Sequence, residues 1–207
     1  GAIDGRFIAL KNNANVLFGG NALHTNSSAF ARGAFGGAIK GGEIMLTENE
    51  SVIFIGNKVN STGYSSGGAL DTDTRIQISN NGEVQFVENA ASGVHNVFGG
   101  AIYGFSGTTL FSDNARICFR GNSSTSSSYA YGGAIGFEGS LLDFRDNGTL
   151  QFFENKVVST GGSAQGGAIY AEYNLNIQNN DLVEFYRNAE VRNEQYRLRS
   201  IHSSWGN

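Results

Sequence analysis

The sequence predicts an all-β chain, a right-handed parallel β-helix of about six rungs with three short strands each. Three observations predict it. A Gly-Gly-Ala-Ile or Gly-Gly-Ala-Leu motif begins at Gly36, Gly67, Gly99, Gly132 and Gly166, in steps of 31, 32, 33 and 34 residues. Short stretches of alternating apolar residues lie between the copies, and period-two alternation marks strands. The 207 residues include 30 glycines and no proline. Proline removes a backbone donor and is expelled from sheet interiors, so its absence suits a chain whose backbone is mostly paired.

The repeat has fixed columns. The motif reads Gly36-Gly37-Ala38-Ile39, Gly67-Gly68-Ala69-Leu70, Gly99-Gly100-Ala101-Ile102, Gly132-Gly133-Ala134-Ile135 and Gly166-Gly167-Ala168-Ile169, with a truncated copy at Gly1-Ala2-Ile3. A second signature, Phe-x-x-Asn, interleaves with it. Its pairs are Phe18 with Asn21, Phe54 with Asn57, Phe86 with Asn89, Phe119 with Asn122, Phe152 with Asn155 and Phe185 with Asn188. Five residues before each Phe stands another asparagine: Asn13, Asn49, Asn81, Asn114, Asn147 and Asn180. Two before it stands Val16, Val52, Val84, Ile117, Leu150 or Val183. An alternating pair lies further upstream, such as Ile44 and Leu46 or Leu142 and Phe144, with Thr109 and Phe111 the weakest match.

One supersecondary unit per repeat, stacked on its neighbours, is the solenoid solution. Crossovers between parallel strands are right-handed almost without exception, which sets the expected hand. Six rungs about 4.8 Å apart make a prism roughly 29 Å long. The phenylalanines are expected to point inward and stack. The asparagines are expected at strand ends, in turn conformations, with their amides bonded from rung to rung. Alternation puts the Ile of the motif inside and the Ala outside. Yet that position is Ala in all six copies, so a cover is expected, most simply the loop before it. Residues 1–188 are read as the β-helix of six repeats of about 33 residues. Residues 189–207 break the pattern and are read as a cap or linker.

These two signatures in fixed alternation resemble the polymorphic membrane proteins of chlamydiae, over residues 1–188. The resemblance implies a fragment of an autotransporter passenger: a bacterial surface-exposed or secreted adhesin that binds a host-cell surface protein or glycan receptor. The chain starts at Gly1 without a methionine and reads as a piece of something longer.

Composition narrows the alternatives. Charged residues make up 15% and the net charge is −4, so no basic excess is present to neutralise phosphates, and no nucleic-acid partner is expected. No apolar run is long enough to span a membrane as a helix. Cys118 is the single cysteine, so no internal disulfide forms, and alternation between Ile117 and Phe119 puts its thiol outside. No cofactor or metal is expected, although Asp113 and Asp146 share a column and a cation between them is the alternative to two solvated turn residues. Self-association through rung ends is a further expectation.

Other β-helices are polysaccharide-acting enzymes, and fold alone does not decide. Glycoside hydrolysis needs converging carboxylates. Asp71 and Asp73 are the best candidates, with no His, Lys or Arg near them in the same columns except Arg75. A non-enzyme is expected, either an adhesive module or a structural stalk. The segments between Phe-x-x-Asn and Gly-Gly, residues 22–35, 58–66, 90–98, 123–131 and 156–165, contain none of the 18 acidic residues. They are read as loops aligned along one side of the prism, a carboxylate-free stripe. Phe30, Phe35, Tyr64, Phe98, Tyr129 and Tyr131 are its candidate partner-binding residues. Tyr supplies contact area and Ser/Gly supply adaptability, as in binding loops.

Overall fold

A computed structural model describes residues 1–26 and 33–192, and the backbone of the strands at 195–197 and 201–203. It is an all-β solenoid of about six turns, with no helix among the described residues. Strands pair in parallel, and the repeat columns coincide with the register: Phe18, Phe54, Phe86, Phe119, Phe152 and Phe185 are successive Cα partners.

The Phe-x-x-Asn signature builds a six-stranded sheet of Asn15–Gly19, Ser51–Ile55, Glu83–Val87, Arg116–Arg120, Thr149–Phe153 and Leu182–Tyr186. Its phenylalanine rings stack at centroid separations of 5.1, 5.0, 4.9, 4.8 and 4.7 Å, tilted by no more than 5°. Phe54, Phe86, Phe119 and Phe152 are fully buried, while Phe18 and Phe185, in the end rungs, are partly covered. The motif Ile or Leu and the alternating pair belong together to one ten-stranded sheet. In the early rungs they share one long strand, as in Ile39–Thr47 and Leu70–Ser79. Later rungs divide it, as in Ile102–Gly104 and Thr108–Ser112. Thr109 keeps its column, paired with Ile76 and Leu142, and its buried hydroxyl has no partner among the described residues.

Both asparagine columns are continuous ladders at the corners. Asn89 is typical. Its Oδ1 accepts from the backbone N–H of Asn57 at 3.0 Å and from Asn57 Nδ2 at 2.9 Å. Its own Nδ2 donates to Asn122 Oδ1 at 3.0 Å and to the carbonyl of Phe54 at 2.9 Å. The same pattern carries the ladder to its last two members. Asn155 Nδ2 donates to Asn188 Oδ1 and to the Phe119 carbonyl, both at 2.9 Å. Asn188 Nδ2 donates to the Phe152 carbonyl at 2.8 Å, and both asparagines are buried. The structural role expected of Asn155 and Asn188 is therefore what they have. A buried amide is satisfied on every side, which is what low dielectric demands of it. The residue before each ladder asparagine takes the left-handed conformation. Asp113 (φ 58°) and Asp146 (φ 56°) are two of these corner residues, and both are exposed. Among the described residues, no three His, Cys, Asp or Glu side chains converge as a metal site.

The Gly-Gly pair is required sterically. The first glycine of each motif, Gly36, Gly67, Gly99, Gly132 and Gly166, has positive φ, from 59° at Gly67 to 73° at Gly166. A Cβ on the second, at Gly37, Gly68, Gly100 or Gly133, would overlap the second-glycine carbonyl of the next rung and press on the backbone of a neighbouring strand. The alanine expectation is corrected. Ala38, Ala69, Ala101, Ala134 and Ala168 are fully buried and belong to the main core cluster. Two successive N–H groups, Ala38 and Ile39, donate to the single carbonyl of Ala69 at 3.0 and 2.9 Å, and the same double bond recurs up the stack. That pattern resembles a bulge, which breaks strict alternation, so both residues turn inward.

The stretches read as loops are also corrected, because most of the described residues in each are strand. Lys58–Ser61, Ala90–Gly93, Ser123–Ser126 and Lys156–Ser159 lie in a seven-stranded sheet with Ala22–Thr25 and Ala189–Arg192. The two-residue strands Ala34–Phe35, Ser65–Ser66, Val97–Phe98, Ala130–Tyr131 and Ala164–Gln165 form a fourth sheet. A small second core of Ala34, Val59, Ala91 and Val97, joined by Leu23, lies between them. Ala189–Arg192 continues the stack, and Gln195–Arg197 turns back on it antiparallel.

Cys118 sits on the outer face as alternation says, but its thiol is not exposed. It is Cα partner to Gln85 and Gln151, and Arg116 donates to Gln151 Oε1 across the column at 3.2 Å. Only 7% of the residue reaches solvent, and burial pushes the thiol pKa up.

Candidate functional site

The residue before each Gly-Gly lies in the fourth sheet, on the flank of the prism. Register gives the column Phe35, Ser66, Phe98, Tyr131, Gln165. Phe98 stacks on Tyr131 at 4.9 Å, and Tyr131 rests on Tyr170 at 4.7 Å. Serine at position 66 interrupts this aromatic row. A cleft of about 540 Å³ opens there, with Phe35, Phe98, Tyr64, Tyr103 and Phe105 around it and Ser65, Ser66, Asn96, Lys40, Asp71, Asp73 and Glu138 supplying polar groups.

The charged groups come from the strand that follows each Gly-Gly-Ala, or, for Glu138, from the residue just past it. Lys40, Asp71 and Tyr103 are successive Cα partners there. Lys40 Nζ donates to Asp71 Oδ1 and, at 2.6 Å, to Asp73 Oδ1. Ser66 Oγ donates to Asp71 Oδ2. Asp71 is 1% exposed, whereas the Asp73 side chain is 60% exposed. Burial pushes the Asp71 carboxyl pKa up, opposed by Lys40 and Ser66. Burial works against the Lys40 ammonium, but attraction to Asp71 and then Asp73 outweighs it and holds the amine above its usual range. The Lys40 ammonium also stands 5.8 Å from the Phe35 ring centroid, within cation–π range. On the opposite side Tyr103 donates its hydroxyl to Glu138 Oε2. Burial raises both the Tyr103 and Glu138 pKa values, so the phenol stays a donor well above neutral pH.

Four of the six candidate partner-binding residues line or border this cleft. Phe35, Tyr64 and Phe98 line it, and Tyr131 backs Phe98. Tyr64 packs on His95 at 5.6 Å. Tyr129 lies farther along, 45% exposed and parallel to Tyr131 at 6.5 Å. Phe30 lies outside the described residues. The expected carboxylate-free stripe is corrected: the segments carry no acid, but Asp71 and Asp73 enter from the adjoining strand and Glu138 from just past its counterpart, Ile135–Phe137. The isolation of Asp71 and Asp73 is corrected too, since Lys40 bridges them. Sequence reasoning missed Lys40, Ser66, Asn96, Tyr103, Phe105 and Glu138 as site residues. Two column signals were available: Lys40 precedes Asp71 by one rung, and Ser66 alone is small in a row of longer side chains.

The arrangement can bind more readily than it can cleave. Glycosidase carboxyls stand about 5 Å apart or more with substrate or water between them. Here the Lys40 nitrogen occupies the space between the two carboxylates and bonds to both. No family model, no curated protein and no solved structure matches this chain.

Proposed function

We propose that the chain is a segment of a bacterial surface adhesin passenger that binds a host-cell surface receptor along the aromatic flank. The observation that carries this is the interrupted aromatic column, with half-buried rings around a cleft of about 540 Å³. That volume is in the range of ligand pockets, and Tyr and Phe rings around a few polar groups are what such pockets use. The paired signatures support the surface role through their resemblance to chlamydial passengers. Rings that also pack on their neighbours lose little freedom on binding, which favours affinity. The polysaccharide-acting alternative is disfavoured by the Lys40 bridge.

A stalk without a binding site of its own is the second reading. The unbroken asparagine and phenylalanine ladders favour it, because a spacer needs only those. Attachment of the chain to epithelial cells separates the two. Tyr129→Ser with Tyr131→Ser, and separately Phe98→Ser, are expected to lower attachment about tenfold, the loss typical of an interface anchor. Each is compared with wild type only where thermal melts agree. No attachment by the wild-type chain is the stalk's result, and attachment that survives all three changes, together with Phe35→Ser and Tyr64→Ser, moves the adhesive site off this flank.

A further inference from the structure

The gap in the aromatic column has a definite size. Phe35 and Phe98 are two rungs apart, with Ser66 between them in register. Two rungs span about 9.6 Å. A ring seated midway stands about 4.8 Å from each wall, one rung's spacing. The neighbouring Phe98–Tyr131 pair, at 4.9 Å, shows that this column accepts stacking at that distance. Register thus leaves the width of one six-membered ring, inserted edge first, between the two positions.

The inner edge of that slot decides the chemistry of the ring. It carries Asp71 and Asp73 joined by Lys40, the Ser66 hydroxyl, and the Tyr103–Glu138 pair. An aromatic side chain from a partner protein brings at most one polar atom. Seated here, it would cover carboxylate and ammonium groups and return almost no hydrogen bonds, which is costly. A pyranose ring differs. Its axial C–H groups present weakly positive faces to the negative faces of aromatic rings. Its rim carries several hydroxyls that both donate and accept. Asp73, exposed and already oriented by Lys40, can accept two of them. Net charge in the cleft also matters: two Asp and Glu138 against Lys40 make an acidic site, which repels sialylated or sulfated rings.

We infer that the slot between Phe35 and Phe98 binds one neutral hexopyranosyl residue of a glycan, with Ser66 as the residue that opens it. The inference rests on the adhesive reading above and names the receptor chemistry of the same site. Where the other rungs close the column with a side chain, this rung leaves the place to a ligand.

The test uses methyl glycosides of glucose, galactose, mannose and N-acetylglucosamine, read by saturation-transfer NMR and titration. At least one is expected to bind. Ser66→Phe, which fills the slot and leaves Asp71 its Lys40 partner, is expected to weaken it tenfold or more. Phe35→Ala, which removes a wall from a half-buried position, provides a second variant if Ser66→Phe does not fold. Asp73→Asn is expected to weaken binding severalfold. Cells whose surface glycans have been oxidised with periodate complete the experiment. Failure of all four glycosides, with treated cells still captured by wild type and not by Ser66→Phe, overturns the glycan inference and leaves the adhesive reading standing, with a polypeptide in the slot. No glycoside binding, with untreated cells captured equally by wild type and Ser66→Phe, overturns the glycan inference and moves the contact to the rest of the flank; no capture of untreated cells by wild type overturns both.

Discussion

Asn89→Ala is expected to cost about 2–6 kcal/mol, a large part of the roughly 5–15 kcal/mol that holds a domain folded. The reason is the two sides of the ladder. Truncation leaves the Asn57 backbone N–H without its partner inside a corner that water does not reach, and the Phe54 carbonyl loses its bond from the amide. The orphaned N–H costs about 1–3 kcal/mol and each other bond lost about 0.5–1.5 kcal/mol. The Asn57 amide also loses one of its bonds, at 2.9 Å. Asn60→Ala is the control, since Asn60 is an exposed asparagine outside both ladders, and it should change stability by no more than about 0.5 kcal/mol. Urea melts of the three proteins measure the difference. Equal midpoints for Asn89→Ala and Asn60→Ala would mean that the ladders follow from the stack and do not support it.

Phe119→Ala has the second large effect, about 3–5 kcal/mol. The ring lies between Phe86 at 4.9 Å and Phe152 at 4.8 Å, and Phe111 meets it edge-on at 5.9 Å. Main chains locked by ladders on both sides cannot close in on the space, so the cavity term applies in full. Cys118→Ser, one residue away, changes one atom on the outer face and should cost far less, even though the thiol is covered. Equal damage from the two would reverse the inward and outward assignment of this strand.

The parts of the fold that were legible in the sequence carry large or chemically distinctive side chains at a fixed period. Phe119 and Asn122 recur in every unit, down to Phe152 with Asn155 and Phe185 with Asn188, and a column of rings or amides has one arrangement that satisfies all members. Ser123–Ser126 was not legible as a strand, because serine and threonine carry turn signals and no apolar alternation. Its pairing is imposed by the ladders on either side, so tertiary context overrides a weak local preference. Ala101 was placed on the wrong face because alternation presumes one carbonyl per N–H. Here Ala101 and Ile102 share the Ala134 carbonyl, at 2.9 and 3.0 Å. The cleft is a different case. It is made by what Ser66 lacks, and an absent ring has meaning only once register shows rings on both sides. Tyr64, Phe98 and Tyr131 were found because aromatics among small polar residues attract notice. Lys40 and Asp71 are 31 residues apart in sequence, and only register makes them neighbours.

The ladders, the ring stack and the cleft all depend on the repeats lying in register, one rung per repeat. Gln85→Cys, set against the native Cys118, probes that register. The two positions are Cα partners on adjacent rungs, about 4.8 Å apart, within disulfide reach. Mild oxidation followed by peptide mass spectrometry should give an intramolecular link between residues 85 and 118. Glu83→Cys and Val87→Cys, displaced by two residues along the strand, should stay reduced. A link from position 83 or 87 in place of 85 would mean a slipped register. It would move Phe98 out of line with Tyr131 and contradict one rung per repeat.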